Sequence, residues 1–199
     1  MKLLDRLETL PDWGRLRIEA LEEANRRLTE RLALAERLAR HDDISGLPNH
    51  RAARAMLERT VRRHARAGKP FAVFFIDGDN LKNYNDEGYE AGNRMITRLA
   101  RTIVDGLRPT DYVARWLSGD EFVAILPEAD VTSASVVAER LRGAVESEFK
   151  GARIPVTISI GVAVYPNDGP TPATLLDRAV GSNAAAKKAG KNRVAIASA

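Results

Sequence analysis

Two acidic segments carry the residues of this chain whose types and spacing could do chemistry. The first is Asp77-Gly78-Asp79, which follows an apolar run at residues 71–76, and the second is Asp120-Glu121, which lies between two other apolar runs. Carboxylate oxygens are the hard ligands that Mg²⁺ prefers, and Mg²⁺ held by them usually serves phosphate groups. If the two segments converge, they can hold a divalent cation. A turn whose aspartates only bond nearby backbone amides is the alternative for the first segment.

Regular elements must bring these segments together. The uninterrupted apolar run at 71–76, bounded by a proline and by Gly78, predicts a strand that is buried on both faces. Residues 112–117 and 122–127 predict two more strands, and the short link that contains Gly119 predicts a hairpin. Open α/β sheets bind ligands where buried strands meet their loops. Both acidic segments occupy such positions.

The hairpin segment Ser118-Gly119-Asp120-Glu121-Phe122 resembles the signature of the GGDEF family, and residues 77–86 resemble that family's metal- and nucleotide-binding segment. Other landmarks of the family follow in order: an opening motif at 41–49, a late strand at 157–163 and a basic ending at 186–193. The resemblance covers roughly residues 41 to 197. Each short motif alone is weak, but several in order over one domain length are specific.

This resemblance implies an α/β (α+β) fold, the ferredoxin-like palm that the family shares with nucleotidyl cyclases and polymerases, with helices around a sheet that contains antiparallel strands. Apolar periodicity predicts helices at 51–67, 93–107, 131–149 and 171–189, and further strands at 154–165 and 194–196. His50 and His64 are expected to be solvated helix residues. The core-facing residues of the second helix are expected to be Met95, Ile96, Leu99, Ile103 and Val104.

Carried over by position, the resemblance implies a diguanylate cyclase, which condenses two GTP into cyclic di-GMP with release of pyrophosphate. Mg²⁺ (or Mn²⁺) would be the cofactor, held by Asp77, the carbonyl of Gly78 and Asp120. Asp120 also occupies the position of the base, with Glu121 beside it. The implied substrate-binding residues are the backbone amides of Asn80, Leu81 and Lys82, the phosphate-neutralising Lys187 and Lys191, and Asn85 at the base or ribose edge.

The chain departs from the family pattern at the substrate pocket. Ser118 replaces the first glycine of the signature, Tyr89 lies where a histidine is usual, and Asn93 lies where an aspartate is usual. An amide offers one acceptor and one donor, which matches an adenine edge better than two acceptors do. A purine-relaxed or hybrid cyclic dinucleotide synthase is therefore the alternative enzyme. A degenerate module that binds GTP or cyclic di-GMP without turnover is the alternative from another class.

A second ligand site is implied by Arg108 and Asp111, which match the family's product-binding RxxD motif just before the hairpin. An arginine can clamp a phosphate or a guanine edge with two hydrogen bonds. The motif is short and common, so a turn with an ordinary ion pair is the alternative. Product inhibition is the expectation if the resemblance holds.

Residues 1–40 predict a helical dimerisation segment ahead of a catalytic domain at 41–199. Leucines in residues 1–14 predict a short helical turn, interrupted by Pro11 and Gly14, and a longer helix follows from Arg15 to about Arg40. Its apolar positions step by threes and fours, with Ile18, Asn25, Leu32 and Ala39 at heptad position a and Leu21, Leu28 and Ala35 at position d. This seam predicts a parallel two-stranded coiled coil. A single amphipathic helix folded onto the domain is the alternative.

Composition sets the remaining limits. A chain of 199 residues with 44% hydrophobic residues suits one domain and an appendage. The net charge of +4 is spread through helices, so acidic phosphate ligands explain it better than nucleic acid does. The absence of cysteine excludes disulfides and thiolate metal sites, and no apolar run is long enough for a membrane span. We find no signal peptide and expect a cytoplasmic protein.

Overall fold

The computed structural model describes residues 11–81, 83–84, 88–117 and 119–197, with only the backbone described at 37 and 38. The chain divides into two compact units, one ending at Ala39 and the other beginning at Arg40. The helical turn predicted within residues 1–14 falls mainly on residues 1–10, which lie outside the described residues.

Helix α1 spans Asp12–Arg40. The prediction that Gly14 would interrupt the helix is wrong, because the helix already includes it. The carbonyl of Pro11 accepts hydrogen bonds from the amides of Gly14 and Arg15 at 2.7 and 3.2 Å. A proline can stand ahead of the first turn because the amides there have no partner inside the helix.

The second unit alternates helices and strands as predicted. Its elements are α2 His50–Ala67, β1 Phe71–Asp79, α3 Tyr89–Asp105, β2 Tyr112–Arg115, β3 Glu121–Pro127, α4 Val131–Glu148, β4 Thr157–Tyr165, α5 Pro172–Lys188 and β5 Val194–Ile196. Two of the larger differences from the predicted boundaries are at the starts of α3 and β4. Helix α3 begins before residue 93, and β4 begins after residue 154, because Pro155 has no amide for the strand ladder.

The five strands form one sheet in the order β2-β3-β1-β4-β5. Strand β1 lies at its centre and pairs antiparallel with β3 and β4, while β4 pairs in parallel with β5. Helices cover the sheet, which confirms the predicted mixed α/β fold. No helix among the described residues combines the length and the apolar character that a membrane crossing needs.

The apolar residues 71–76 of β1 are buried as predicted, and the buried strand also continues through Asp79. Because side chains alternate along a strand, Phe74 and Ile76 join the apolar cluster with α3 and α4, whereas Val73 and Phe75 join the cluster with α2 and α5. Strand β1 is therefore packed against helices on both faces of the sheet. Its last residues are fixed in space before any ligand binds.

Helix α5 lies unusually close to β4. A Cβ atom built on Gly161 would lie only 2.0 Å from the carbonyl oxygen of Ala179, so no other residue fits there without moving the helix. Asn183 anchors the same helix, since its buried amide group donates to the carbonyls of Ser159 at 2.7 Å and Phe75 at 3.3 Å. These contacts set the position of the last turn of α5.

Two predictions about burial are wrong, one for a residue expected to be exposed and one for a residue expected to be buried. His64 is buried at 3% exposure, and its Nδ1 lies 3.1 Å from the carbonyl oxygen of Lys69. It lies seven residues after Leu57, on the same buried face of α2, so the helical period carries it inward. Val104 is 42% exposed, because the buried face of α3 passes through Leu99 and Ile103.

Candidate active site

The register of the sheet brings the two acidic segments together. Asp77 on β1 lies opposite Glu121 on β3, and the amide of Gly78 donates to the carbonyl of Asp120 at 2.9 Å. A Cβ atom on Gly78 would lie 3.0 Å from the Cβ of Asp120 and 2.4 Å from a methyl group of Leu81. Only glycine therefore lets the hairpin turn approach the end of β1 this closely.

The segments open into a cleft of about 600 Å³. This volume lies in the range of small-molecule sites. Both acidic and basic residues line the cleft. Its lining is Asp77, Gly78, Asp79, Asn80, Asn83, Gly119, Asp120, Glu121, Lys187 and Lys191.

The two carboxylate oxygens of Asp77 have different surroundings. Its Oδ2 lies 2.5 Å from Nζ of Lys187, while Oδ1 is buried without any hydrogen-bond partner among the described residues. Burial raises the pKa of the Asp77 carboxyl to about 6. The hydrogen bond from Lys187 lowers this pKa, and the negative charge of Asp120 raises it further. A buried carboxylate oxygen without a partner is costly, and a bound cation would satisfy it.

The donor set fits Mg²⁺ bound together with a phosphate ligand. Among the described residues, no group of three or more His, Cys, Asp or Glu is arranged to hold a metal by itself. Mg²⁺ commonly takes one or two protein carboxylates and completes its shell with substrate phosphates and water. Asp77 and Asp120 are such a pair, beside the backbone of Gly78.

Asp79 has a different environment, which sequence reasoning did not predict. It is 1% exposed, and its carboxylate accepts hydrogen bonds from the hydroxyls of Thr157 at 2.8 Å and Ser159 at 2.9 Å and from the amide of Asn192 at 3.1 Å. The available signal was the pair of hydroxyl residues that alternate in the otherwise apolar strand β4. This carboxylate supports the site rather than offering open ligand positions.

Basic side chains reach the cleft from the end of α5 and from the loop after it. Lys187 lies in the last turn of α5 and contacts Asp77, and Nζ of Lys191 donates to Oδ1 of Asn80 at 3.1 Å. Asn80 adopts a left-handed conformation, with φ of 70°. The two lysines that the sequence assigned to phosphate therefore line the cleft that holds the acidic segments.

The rest of the predicted substrate segment is described only in part. Leu81 is buried at 4% exposure, so its side chain belongs to the core, and the side-chain Nδ2 of Asn80 donates to the carbonyl oxygen of Pro155 at 3.4 Å. Lys82, Asn85 and the signature residue Ser118 lie outside the described residues. The predicted cradle of backbone amides stays a prediction.

The residues predicted to read the base lie on α3. Tyr89 begins this helix and is 77% exposed, and Asn93 is half-buried one turn later. The carbonyl of Asn93 accepts a hydrogen bond from the hydroxyl of Thr97 at 3.0 Å. Neither side chain is among the residues that line the cleft, so their contact with a base stays a prediction.

Arg108 and Asp111 form a closed turn just before β2. The amide of Arg108 donates to the carboxylate of Asp111, and the amide of Asp111 donates to the carbonyl of Arg108, both at 2.9 Å. The side chain of Arg108 is exposed. Asp111 thus closes the turn, and the role of Arg108 in product binding stays a prediction.

Arg115 is a buried support that the sequence did not reveal. Its guanidinium makes two hydrogen bonds to the carboxylate of Asp42, at 2.8 and 2.9 Å, and two to the carbonyl of Gly119, at 2.7 and 3.0 Å. Burial alone would raise the pKa of Asp42, but hydrogen bonds from Arg115 and Ser45 outweigh it and the pKa lies below its usual range. Arg115 therefore ties the hairpin turn to the opening motif.

Comparison with known proteins decides the family. A family model described as "Diguanylate cyclase, GGDEF domain" matches residues 39–193. The chain belongs to the GGDEF family. This GGDEF chain is 34% identical over 164 residues to the diguanylate cyclase TpbB of Pseudomonas aeruginosa, covering 80% of the chain and 38% of that protein. It is 36% identical over 163 residues to the response regulator PleD of Caulobacter vibrioides, covering 79% of the chain and 36% of that protein.

A solved structure agrees with this assignment. The coiled coil and GGDEF domain of DgcB from Caulobacter crescentus, in complex with c-di-GMP, superposes with a TM-score of 0.84 at 26% identity, covering 92% of this chain and 98% of that one. The resemblance stated from the sequence is confirmed at the level of family and fold. The GGDEF chain spans little more than a third of the length of the two relatives named above.

Proposed function

We propose that this GGDEF domain condenses two GTP into cyclic di-GMP and requires Mg²⁺ (or Mn²⁺). The observation that carries the proposal is the buried Oδ1 of Asp77, which has no hydrogen-bond partner among the described residues, beside Asp120 in a cleft that two lysines also line. Metal-dependent phosphoryl transfer needs carboxylates for the cation and positive charge for the phosphates. Membership of the GGDEF family supports the same chemistry.

We assign a different role in the reaction to each group of residues in the cleft. Asp77 and Asp120, with the carbonyl of Gly78, would hold a Mg²⁺ that neutralises phosphate charge. Lys187 and Lys191 would contact the phosphates. Asp120, beside Glu121, would accept the proton of the 3′-hydroxyl. The hydroxyl of each nucleotide forms a bond to the α-phosphorus of the other, and each α–β phosphate bond breaks, so two pyrophosphates leave.

Product analysis by mass spectrometry is the direct test. The protein would be incubated with Mg²⁺ and GTP, ATP or both, beside an Asp120→Ala control. Cyclic di-GMP from the wild type alone supports the proposal. GTP binding without any product would replace the synthase with a degenerate binding module.

Two domains must meet for this reaction, and we propose that α1 pairs with α1 of a second copy. The seam residues Leu21, Leu28 and Leu32 are 60–63% exposed on the single helix. A coiled coil would cover them and raise the effective concentration of the two domains. Leu28→Asp should then dissociate the dimer in sedimentation and lower activity on dilution.

Leu34 offers the matched control for this test. It is 56% exposed on the same helix but lies off the predicted seam. Leu34→Asp should leave the dimer intact. Equal effects of the two substitutions, or a wild type that is active as a monomer, would remove the coiled-coil proposal.

Product feedback is proposed through the exposed side chain of Arg108. Added cyclic di-GMP should inhibit the wild type, and Arg108→Ala should relieve this inhibition without lowering the initial rate. Calorimetry that detects no cyclic di-GMP binding to the nucleotide-free protein would contradict the proposal.

A purine-relaxed synthase is the second candidate, favoured by the amide of Asn93. An aspartate there would accept from both N1–H and the amine of guanine, whereas an amide turns a donor toward one of them. The guanine preference should be weaker by about 1–3 kcal/mol than with aspartate. Asn93→Asp should then sharpen selection of GTP in mixed-substrate assays. An unchanged ratio of guanine to adenine product would remove this candidate.

A further inference from the structure

The loop that carries Lys191 has an uncommon backbone. Lys191 and Asn192 follow each other with φ of 61° and 45°, directly after Gly190 with φ of 113°. Residues other than glycine rarely adopt this left-handed region, and a conformation of this kind persists only where the surrounding structure holds it. Two successive non-glycine residues in this region therefore call for an anchor.

The first anchor is Asp79 at the end of β1. Its carboxylate accepts the backbone amide of Asn192 at 3.1 Å and is itself fixed by the hydroxyls of Thr157 and Ser159. Since Asp79 is 1% exposed, water competes little for these bonds. The central strand of the sheet thus holds the loop by its main chain.

The second anchor is helix α4, which holds the side chain of Asn192. The Oδ1 of Asn192 accepts from Nη1 of Arg142 at 2.9 Å, and its Nδ2 donates to Oε1 of Glu146 at 2.8 Å. Arg142 and Glu146 also bond each other at 2.9 Å. Asn192 is therefore fixed on both its backbone and its side chain.

Lys191 lies between Gly190 and this doubly fixed residue. A lysine side chain has many rotamers, and holding its backbone reduces the number of positions that its ammonium group can take. Here Nζ reaches Asn80, at the mouth of the cleft. Although Lys191 is exposed, the loop conformation places its ammonium group within reach of the cleft.

We infer that Asp79 and Asn192 are positioning residues that orient Lys191 toward the phosphates of the nucleotide. The inference rests on the proposed function, because it takes Lys191 as a phosphate contact. Asn192 itself bonds Asp79, Arg142 and Glu146, so its effect on the nucleotide passes through Lys191. A purely structural role would instead affect folding and leave Lys191 irrelevant.

A double-mutant cycle separates these two roles. The probe is a GTP analogue with a non-cleavable bond between the α- and β-phosphates, and its Kd is measured by calorimetry with Mg²⁺. Asn192→Gly suits the cycle because glycine accepts the left-handed conformation and removes only the side-chain anchor. It should raise the Kd about tenfold, the scale of one hydrogen bond to a charged group. In the Lys191→Ala background it should raise the Kd less than about twofold.

Two further variants serve as a second test and as a control for charge. Arg142→Met removes one partner of Asn192 from α4 and should weaken binding in the same direction. Lys188→Ala removes an equal charge from an exposed neighbour outside the cleft lining and should bind as the wild type does. Asn192→Gly with a wild-type Kd, or with an equal loss in the Lys191→Ala background, would overturn the inference.

The outcomes for the inference and for the proposed function are distinct. A wild type that binds the analogue but makes no cyclic dinucleotide ends the synthase proposal, while the cycle still decides the role of Asn192. A wild type that makes cyclic di-GMP, with Asn192→Gly unchanged in Kd and KM, ends the inference alone. A wild type that does not bind the analogue ends both.

Discussion

The two sides of the cleft differ in how completely their carboxylates are bonded. Asp77 and Asp79 lie two residues apart on β1, so both side chains fall on the same face of the strand. Asp77, next to the hairpin, has one oxygen bonded to Lys187 and one that no described residue contacts by a hydrogen bond. Asp79, next to β4, accepts two hydroxyls and a backbone amide. The aspartate next to the hairpin thus offers an oxygen to a ligand, whereas the identical residue next to β4 supports the site through its hydrogen bonds.

The largest expected effect concerns the hairpin side. Asp77→Ala and Asp120→Ala should each lower turnover on the order of 10²-fold or more, because loss of a metal ligand costs several kcal/mol of transition-state stabilisation. Circular dichroism should show an unchanged fold. Asp105→Ala, an exposed carboxylate on α3, is the control and should keep its activity. Near-normal rates in both cleft variants would break the assignment.

The next effect concerns stability and should separate the two aspartates. Asp79→Ala leaves two hydroxyls and the amide of Asn192 without their acceptor, so the free energy of unfolding should fall by about 1–3 kcal/mol. Asp77→Ala removes a poorly satisfied carboxylate, and Lys187 can turn to solvent, so this variant should unfold no more easily than the wild type. Denaturant titrations without metal or nucleotide measure both values. A larger loss for Asp77→Ala would reverse the comparison.

The smallest effect is the pH dependence of stability. The folded state raises the pKa of Asp77 from 3.8 to about 6, so it binds a proton more tightly than the unfolded chain does. The resulting contribution to stability is full below pH 3.8 and is lost as the pH rises through about 6. Relative to Asp77→Asn, the metal-free wild type should lose about 1 kcal/mol of stability across this window, after allowance for solvent screening. Parallel pH profiles of the two proteins would contradict it.

Sequence patterns predicted the elements of the site better than its supports. The apolar run of β1 and the glycine of the hairpin predicted Asp77 at the end of a strand and Asp120 in a hairpin turn, and left open whether the two converge. The role of Asp79 was not visible, because it depends on the amide of Asn192, 113 residues further along the chain. The same holds for Arg115 and Asp42, which are 73 residues apart. Contacts of this kind arise from tertiary packing, which no local pattern encodes.

The contact between Gly161 and Ala179 makes a position without any chemical group as sensitive as a ligand. A single methyl group at Gly161 would collide with the backbone of α5, and the helix would have to move away from the sheet by roughly 1 Å or more. Lys187, at the far end of that helix, would move with it and withdraw from Asp77. In a survey of all substitutions along the chain, residue 161 would therefore behave like part of the active site, although it lies beneath a helix and never meets a nucleotide.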